Sequence, residues 1–135
     1  MAGLAMNAAD AIILQQAYQA GSLIVKSPQQ RSLPHPEQLH AGEAESIGLA
    51  IELGATWLLA DDLDARTIAQ QNFTAAGVKT GIKGTLGIIV TAVQAQIITV
   101  DQAIDSIQSL KSRPDIWLAP ALCETVIQTL RRSSQ

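Results

Sequence analysis

Carboxylate side chains gather at two places in the sequence where helices are predicted to begin. Glu43 and Glu45 stand in the first turn of one predicted helix, and Asp61, Asp62 and Asp64 follow a short apolar run and open another. In open α/β sheets, sites form outside the carboxyl ends of the strands, so acids at a helix start and at a strand end can meet in space. Carboxylate oxygens are ligands that hard divalent cations prefer. The pattern therefore predicts a divalent-cation site.

The helix that carries Glu43 is predicted over residues 41–53, where Glu43, Ile47 and Ile51 share one face. Glu45 points towards the edge of that apolar stripe. An acid in the first turn also interacts favourably with the helix dipole, by about 0.3–1 kcal/mol. The dipole explains an acid at this position but not its alignment with the core, so we favour a functional role for Glu43.

The aspartates follow a run at residues 56–60 that predicts a buried strand of a parallel sheet. The next predicted helix extends to residue 76, and one aspartate is needed as its N-cap. Capping does not need three, and neighbouring carboxylates repel one another unless a cation or Arg66 offsets their charge. The presence of more aspartates than capping needs favours Asp61 as a site residue.

A glycine-rich turn, Gly84-Thr85-Leu86-Gly87, precedes an apolar helix predicted to run to Ile98. Free backbone N–H groups in such a turn can bind phosphate, although the spacing is not that of a P-loop. Alternatively, Thr85 is an N-cap and the glycines allow close packing. Both interpretations remain open. Under the first, the chain could function as a small α/β protein that binds a phosphate ligand.

The remaining periodicity predicts alternating helices and strands in one domain over residues 1–135. We predict an α/β fold of three layers, in which a mostly parallel sheet is flanked by helices. Further helices are predicted over residues 8–20, after a capping box at residues 99–102, and from Pro120 onward; further strands are predicted at residues 22–26, 78–80 and 116–118.

Composition limits the classes of function. The chain is 47% hydrophobic and 16% charged with a net charge of −3, which is typical of a soluble globular protein without a broad basic field. The single cysteine fits a reducing compartment, and no apolar run is long enough for a membrane span. We therefore expect a cytoplasmic protein with no membrane partner.

Five other residues have alternative interpretations. Cys123 is a reactive thiol or, as we favour, a small core residue. His35 and His40 are metal ligands or, in a proline-rich stretch, solvated side chains. Trp57 and Trp117 are platforms for base stacking or, as we favour, core residues.

Three blocks of the sequence between Leu39 and Leu130 resemble the C-terminal two thirds of PIN-domain proteins, most closely a branch known as predicted nucleic-acid-binding proteins. The blocks occur in the family's order and at its spacing. They are GEAESI at residues 42–47, LLADD at residues 58–62 with Arg66, and GTLG at residues 84–87.

The resemblance implies a ribonuclease in which acidic residues hold Mg²⁺ or Mn²⁺ for hydrolysis of RNA phosphodiester bonds. Glu43 and Asp61 match the family's metal ligands, and Asp62 is the alternative to Asp61 if the register shifts by one. Many members are toxins, which implies an antitoxin-type protein as a possible partner. The resemblance also implies that Thr85 and Gly84 contact phosphate or water. Three further residues would support the site, namely Glu45, Asp64 and Arg66.

The family begins with a central strand that ends in an aspartate, followed by a second acid, and we expect this chain to lack both. An open sheet without its central strand has unpaired strand edges that can pair with another chain, so we expect a homodimer or a larger homo-oligomer. Two interpretations of function follow: a PIN-like metal-dependent ribonuclease, or a non-catalytic PIN-like module for interaction or oligomerisation.

Overall fold

Six helices and two short strands make up the part of the chain that the structure, a computed structural model, describes, namely residues 9–29 and 39–135. His35, one of the predicted metal-ligand candidates, lies outside the described residues. The elements are α1 (Ala9–Gln19), α2 (Ala41–Leu53), β1 (Trp57–Leu59), α3 (Leu63–Ala76), β2 (Gly81–Lys83), α4 (Thr85–Gln94), α5 (Val100–Lys111) and α6 (Pro120–Ser133).

The two strands pair in parallel, with α3 as the connection between them, so the mixed α/β character is confirmed. Leu58 lies opposite Ile82, and Trp57 lies opposite Gly81. Because side chains alternate along a strand, Leu58 is buried while Trp57 and Leu59 on either side of it are exposed. Within the described ranges the sheet has only these two strands.

Two predicted strands are wrong. Residues 22–26 and 116–118 have no regular structure. Ile24 and Val25 are mainly exposed, and a β-branched run forms a strand only where another strand supplies its hydrogen bonds. The second segment lies between two prolines, Pro114 and Pro120, and leads directly into α6.

Two predicted boundaries also move. The strand predicted at residues 78–80 instead spans Gly81–Lys83, and the Thr80 hydroxyl just before it donates to the carbonyl of Ala55 at 2.7 Å. Helix α4 ends at Gln94 rather than at Ile98, and Gln96 then adopts a left-handed φ of 58°. The other helices end close to where their caps and glycines predict.

Buried side chains form two hydrophobic clusters. One lies between α2, β1 and α3, and the other lies between α4, α5 and α6, where Cys123 is fully buried as predicted. The first cluster contains Ile47, Ala50, Leu58, Ile68, Ala69 and Phe73. The second contains Leu86, Ala103, Ile104, Ile107, Cys123, Ile127 and Leu130. None of the described helices has the length and apolar content needed to cross a membrane.

The prediction that both tryptophans are core residues is wrong. Trp57 is 50% exposed and Trp117 is 81% exposed. With Leu58 facing the core, strand alternation turns Trp57 outward, where its ring lies across Gly81. The Lys83 ammonium sits 4.0 Å from the centre of the same ring, a cation–π contact.

Candidate active site

A pocket of about 230 Å³ lies at the carboxyl end of β1 and is lined by three carboxylates. Glu43 comes from the first turn of α2, Asp61 follows β1, and Asp62 is the N-cap of α3. The apolar side of the pocket includes Ile47, which is only 1% exposed and lies one turn after Glu43. The structure thus brings together the three acids that the sequence singled out.

Glu43 is half-buried, and its carboxylate takes part in the start of its own helix. Its Oε2 accepts a hydrogen bond from the backbone N–H of His40 at 3.0 Å, which is the glutamate half of a capping box. The Oε1 atom accepts no hydrogen bond from any residue that the structure describes. The sequence predicts a favourable interaction of Glu43 with the helix dipole, but this capping role emerges only from the structure.

Asp62 provides the side-chain cap of α3. Its Oδ1 accepts a hydrogen bond from the backbone N–H of Ala65 at 2.8 Å. This bond gives a partner to one of the N–H groups in the first turn of α3, which have none within the helix. It thereby stabilises the start of α3 directly after β1. The need for one aspartate as N-cap, inferred from the sequence, is therefore met by Asp62 and leaves Asp61 for another role.

Asp61 binds the start of α4 with both carboxylate oxygens. Its Oδ1 accepts from the backbone N–H of Thr85 at 2.7 Å, and its Oδ2 accepts from the Thr85 hydroxyl at 2.5 Å. Gly84 is the N-cap of α4, so the alternative in which Thr85 is the N-cap is wrong. The Thr85 hydroxyl, which we expected to contact phosphate or water, donates to Asp61 in this structure.

Gly84 makes the approach of Asp61 possible. A Cβ atom added at residue 84 would lie 2.6 Å from Asp61 Oδ1, closer than real contacts allow. The φ of Gly84 is −94°, which other residues adopt readily. The glycine is therefore needed for space and not for backbone conformation, in agreement with the close-packing interpretation of the turn.

The expected supporting residues lie outside the pocket. Glu45 is exposed on α2. Asp64 lines a separate surface depression with Thr67 and Gln71 on α3. Arg66 is half-buried and does not line the pocket, and its Nη1 would be 3.7 Å from a Cβ at residue 84.

A second, larger cavity of about 610 Å³ adjoins Asp61 and was missed by the sequence argument. We call it the α4–α6 groove, because its apolar walls come mainly from α4, α6 and the segment before α6. Trp117, which the sequence predicted to be a core residue, lines this groove and is 81% exposed, and Leu122 beside it is 51% exposed. Its other lining residues include Leu63, Arg66, Lys83, Leu86, Val90, Leu118 and Val126.

The donor chemistry of the acidic pocket fits a hard divalent cation, since all three side chains offer carboxylate oxygens. The number of converging donors does not reach a complete ligand set: within residues 9–29 and 39–135, no three acidic, histidine or cysteine side chains are grouped closely enough to hold a metal ion. His40, the other histidine considered, is exposed at the N-cap of α2. The described residues of the pocket therefore do not make up a complete cation site.

A family model named DUF3368 and described as a PIN domain matches residues 3–132. No curated protein and no solved structure matches the sequence significantly.

Proposed function

Because the chain belongs to the PIN-domain family, whose members are generally nucleases, we propose that it is a metal-dependent ribonuclease that hydrolyses RNA phosphodiester bonds. The observation that carries the proposal is the meeting of Glu43, Asp61 and Asp62 in one pocket at the carboxyl end of β1. Membership of the family also supports the predicted three-layer arrangement, with helices on both faces of the parallel sheet.

PIN domains typically depend on Mg²⁺ or Mn²⁺, and the carboxylates of the pocket are the groups that would hold such an ion. Glu43 and Asp61 are the proposed ligands, with Asp62 as the alternative to Asp61. A bound cation of this kind supplies charge neutralisation at a phosphate and lowers the pKa of a bound water.

The residues around the pocket keep its carboxylates in place. The two bonds from Thr85 restrict the rotation of the Asp61 side chain. The bond from His40 N–H does the same for Glu43. Ligands whose positions are fixed before the cation arrives lose less conformational entropy on binding, which favours a preorganised site.

A second candidate, a non-catalytic PIN-like interaction or oligomerisation module, is favoured by a different observation. Each of the three carboxylates already accepts a hydrogen bond at the start of a helix, so structural roles account for all of them. Among the described residues, no three acidic, histidine or cysteine side chains are close enough together to hold a metal ion, which points the same way.

Cleavage of a single-stranded RNA by the purified chain in Mn²⁺ distinguishes the two candidates. We expect cleavage that chelation removes and that Glu43→Gln reduces by a factor of about a hundred or more, as for loss of a metal ligand. Glutamine can replace glutamate in a capping box, so this variant removes the charge but keeps the helix start.

Glu45→Gln is the matched control, because it removes an exposed acid from the same turn without touching the pocket. It should leave the rate unchanged. The ribonuclease proposal fails if the wild-type chain neither cleaves RNA nor binds Mn²⁺ by calorimetry, and that result would support the interaction module. Equal rates for wild type and Glu43→Gln would remove Glu43 from the site.

A further inference from the structure

One face of β1 is open to solvent and leads to the acidic pocket. Leu58 packs in the cluster between α2, β1 and α3, whereas Trp57 and Leu59, on the opposite face of the strand, are 50% and 60% exposed. Leu59 also lines the pocket, together with Asp61. Four residues of extended chain span at most about 14 Å, so an oligonucleotide of a few nucleotides can cover the distance from Trp57 to Asp61.

The ring of Trp57 is held against the neighbouring strand although half of the residue is exposed. Trp57 lies opposite Gly81 in the parallel ladder, and its ring lies across that glycine. A Cβ atom at residue 81 would collide with the ring, so glycine provides the space that the ring occupies. A glycine inside a strand weakens the strand and often marks a place where another group approaches closely. The position of the ring therefore depends on Gly81.

Lys83 places a positive charge at the same ring. Its ammonium lies 4.0 Å from the centre of the Trp57 ring and donates a hydrogen bond to the Thr91 hydroxyl at 2.7 Å. That hydroxyl donates in turn to the carbonyl of Gly87 at 2.8 Å, which connects the ammonium to α4. No carboxylate of a described residue forms an ion pair with Lys83. Its charge is therefore available to a phosphate.

We propose that Trp57 is a stacking platform for one base of a single-stranded RNA, and that Lys83 contacts a phosphate next to that base. The inference rests on the proposed ribonuclease function, because it assigns a substrate contact beside the acidic pocket. Every base has a flat π-face, so such a platform binds RNA without selecting its sequence. The stacked base would hold the strand so that a neighbouring phosphodiester reaches Asp61.

Stacking is important in this chain because its overall charge opposes nucleic acid. The net charge is −3, and the acidic pocket presents three carboxylates that repel a phosphate when no cation is bound. Stacking on an aromatic ring contributes to affinity without depending on net charge. Trp117 provides the comparison, since it is 81% exposed but does not line the acidic pocket and has no cation–π partner among the described residues.

Tryptophan fluorescence tests the platform with the ring intact. The chain has two tryptophans, so Trp117→Phe leaves only Trp57 and Trp57→Phe leaves only Trp117. Each variant is titrated at low salt with an oligouridine of about eight nucleotides, in EDTA to prevent metal-dependent cleavage. We expect the oligouridine to quench Trp57 and to leave the emission of Trp117 nearly unchanged. Quenching of Trp117 instead, or of neither tryptophan, overturns the proposal.

Fluorescence anisotropy of a labelled oligouridine measures the contribution of the ring to affinity. Trp57→Ala should raise the dissociation constant at least about tenfold, as for loss of one stacked base. Trp57→Phe keeps an aromatic ring and should retain most of the affinity. Trp117→Ala is the matched control and should bind as tightly as wild type. Equal dissociation constants for Trp57→Ala and Trp117→Ala reject the platform.

Salt dependence tests the contact between Lys83 and a phosphate. One phosphate contact on a single strand contributes about 0.7 to the slope of log affinity against log salt concentration. Lys83→Met should therefore reduce that slope by about 0.7, whereas Lys79→Met, at an exposed lysine, should leave it unchanged. Equal slopes for the two variants contradict the phosphate contact.

The platform and the ribonuclease proposal can fail separately, because the binding experiments contain no metal and measure no cleavage. Binding that depends on Trp57, by a chain that does not cleave RNA in Mn²⁺, supports the platform and contradicts the ribonuclease. Cleavage in Mn²⁺ with the same KM for Trp57→Ala and wild type supports the ribonuclease and contradicts the platform.

Discussion

Asp61 and Thr85 are joined by two hydrogen bonds, one to the backbone N–H at 2.7 Å and one to the hydroxyl at 2.5 Å. They connect the carboxyl end of β1 to the first residue of α4, the helix that follows the neighbouring strand. The carboxylate thereby supplies an acceptor for an N–H group at a helix start, from 24 residues away. Asp61, which we propose as a cation ligand, is therefore also a structural link.

Thr85→Val should lower the free energy of unfolding by about 1–2 kcal/mol, since it removes one hydrogen bond to a carboxylate and keeps the N–H bond. Thr85→Ser should keep the hydroxyl contact and stay within about 0.5 kcal/mol of wild type. Urea unfolding measures both. If Thr85→Val is as stable as Thr85→Ser, the hydroxyl contributes nothing to the fold.

Two glycine substitutions close together in sequence should have opposite effects. Gly84→Ala places a Cβ 2.6 Å from Asp61 Oδ1 and should cost about 1–3 kcal/mol through the weakened bonds to Thr85. Gly87→Ala meets Lys83 Cβ at 3.6 Å, an ordinary contact, and should stabilise α4 by up to about 1 kcal/mol. Thermal unfolding of the two variants provides the comparison. Equal melting temperatures would show that the Asp61 contact adapts freely.

The ammonium of Lys83 should stabilise the fold and affect the fluorescence emission of Trp57. Lys83→Met keeps most of the aliphatic stem but removes the cation–π contact and the hydrogen bond to the Thr91 hydroxyl at 2.7 Å. We expect a loss of about 0.5–1 kcal/mol in the free energy of unfolding and a shifted emission of Trp57 in a Trp117→Phe background. Lys79→Met, at an exposed lysine, is the control. Identical emission spectra for the two variants would contradict the contact.

Truncation of Phe73 should be the most damaging of these changes. Its side chain is fully buried in the cluster between α2, β1 and α3, so Phe73→Ala should cost about 3–5 kcal/mol. Leu63→Ala, at an exposed position of the same helix, should change the free energy of unfolding by less than about 0.5 kcal/mol. Chemical denaturation gives both values. Similar losses in the two variants would mean that the cluster is loosely packed.

Local signals were sufficient to predict most helices. Gly54 and Gly77 end α2 and α3 with φ values of 57° and 69°, a conformation that glycine adopts without strain. Thr99 and Gln102 form the predicted capping box of α5. These features work between residues a few positions apart, so the sequence contains all the partners.

Strands and site contacts were predicted less well because their partners are distant in sequence. The apolar run at residues 22–26 satisfies every local criterion for a strand and has no ladder to join. Trp57 is as hydrophobic as its neighbours, but the face on which it lies depends on how β1 packs against α2 and α3.

The sequence alone determined that three carboxylates stand at the starts of helices beside a buried strand, and that their pattern is that of the PIN-domain family. Glu43 and Asp62 accept hydrogen bonds from residues three positions away, whereas only the tertiary structure decided what Asp61 binds. The parallel register of β1 and β2 brings Thr85 to Asp61, and the close approach requires a glycine at residue 84. A contact across 24 residues depends on how the strands pair, which no local pattern specifies.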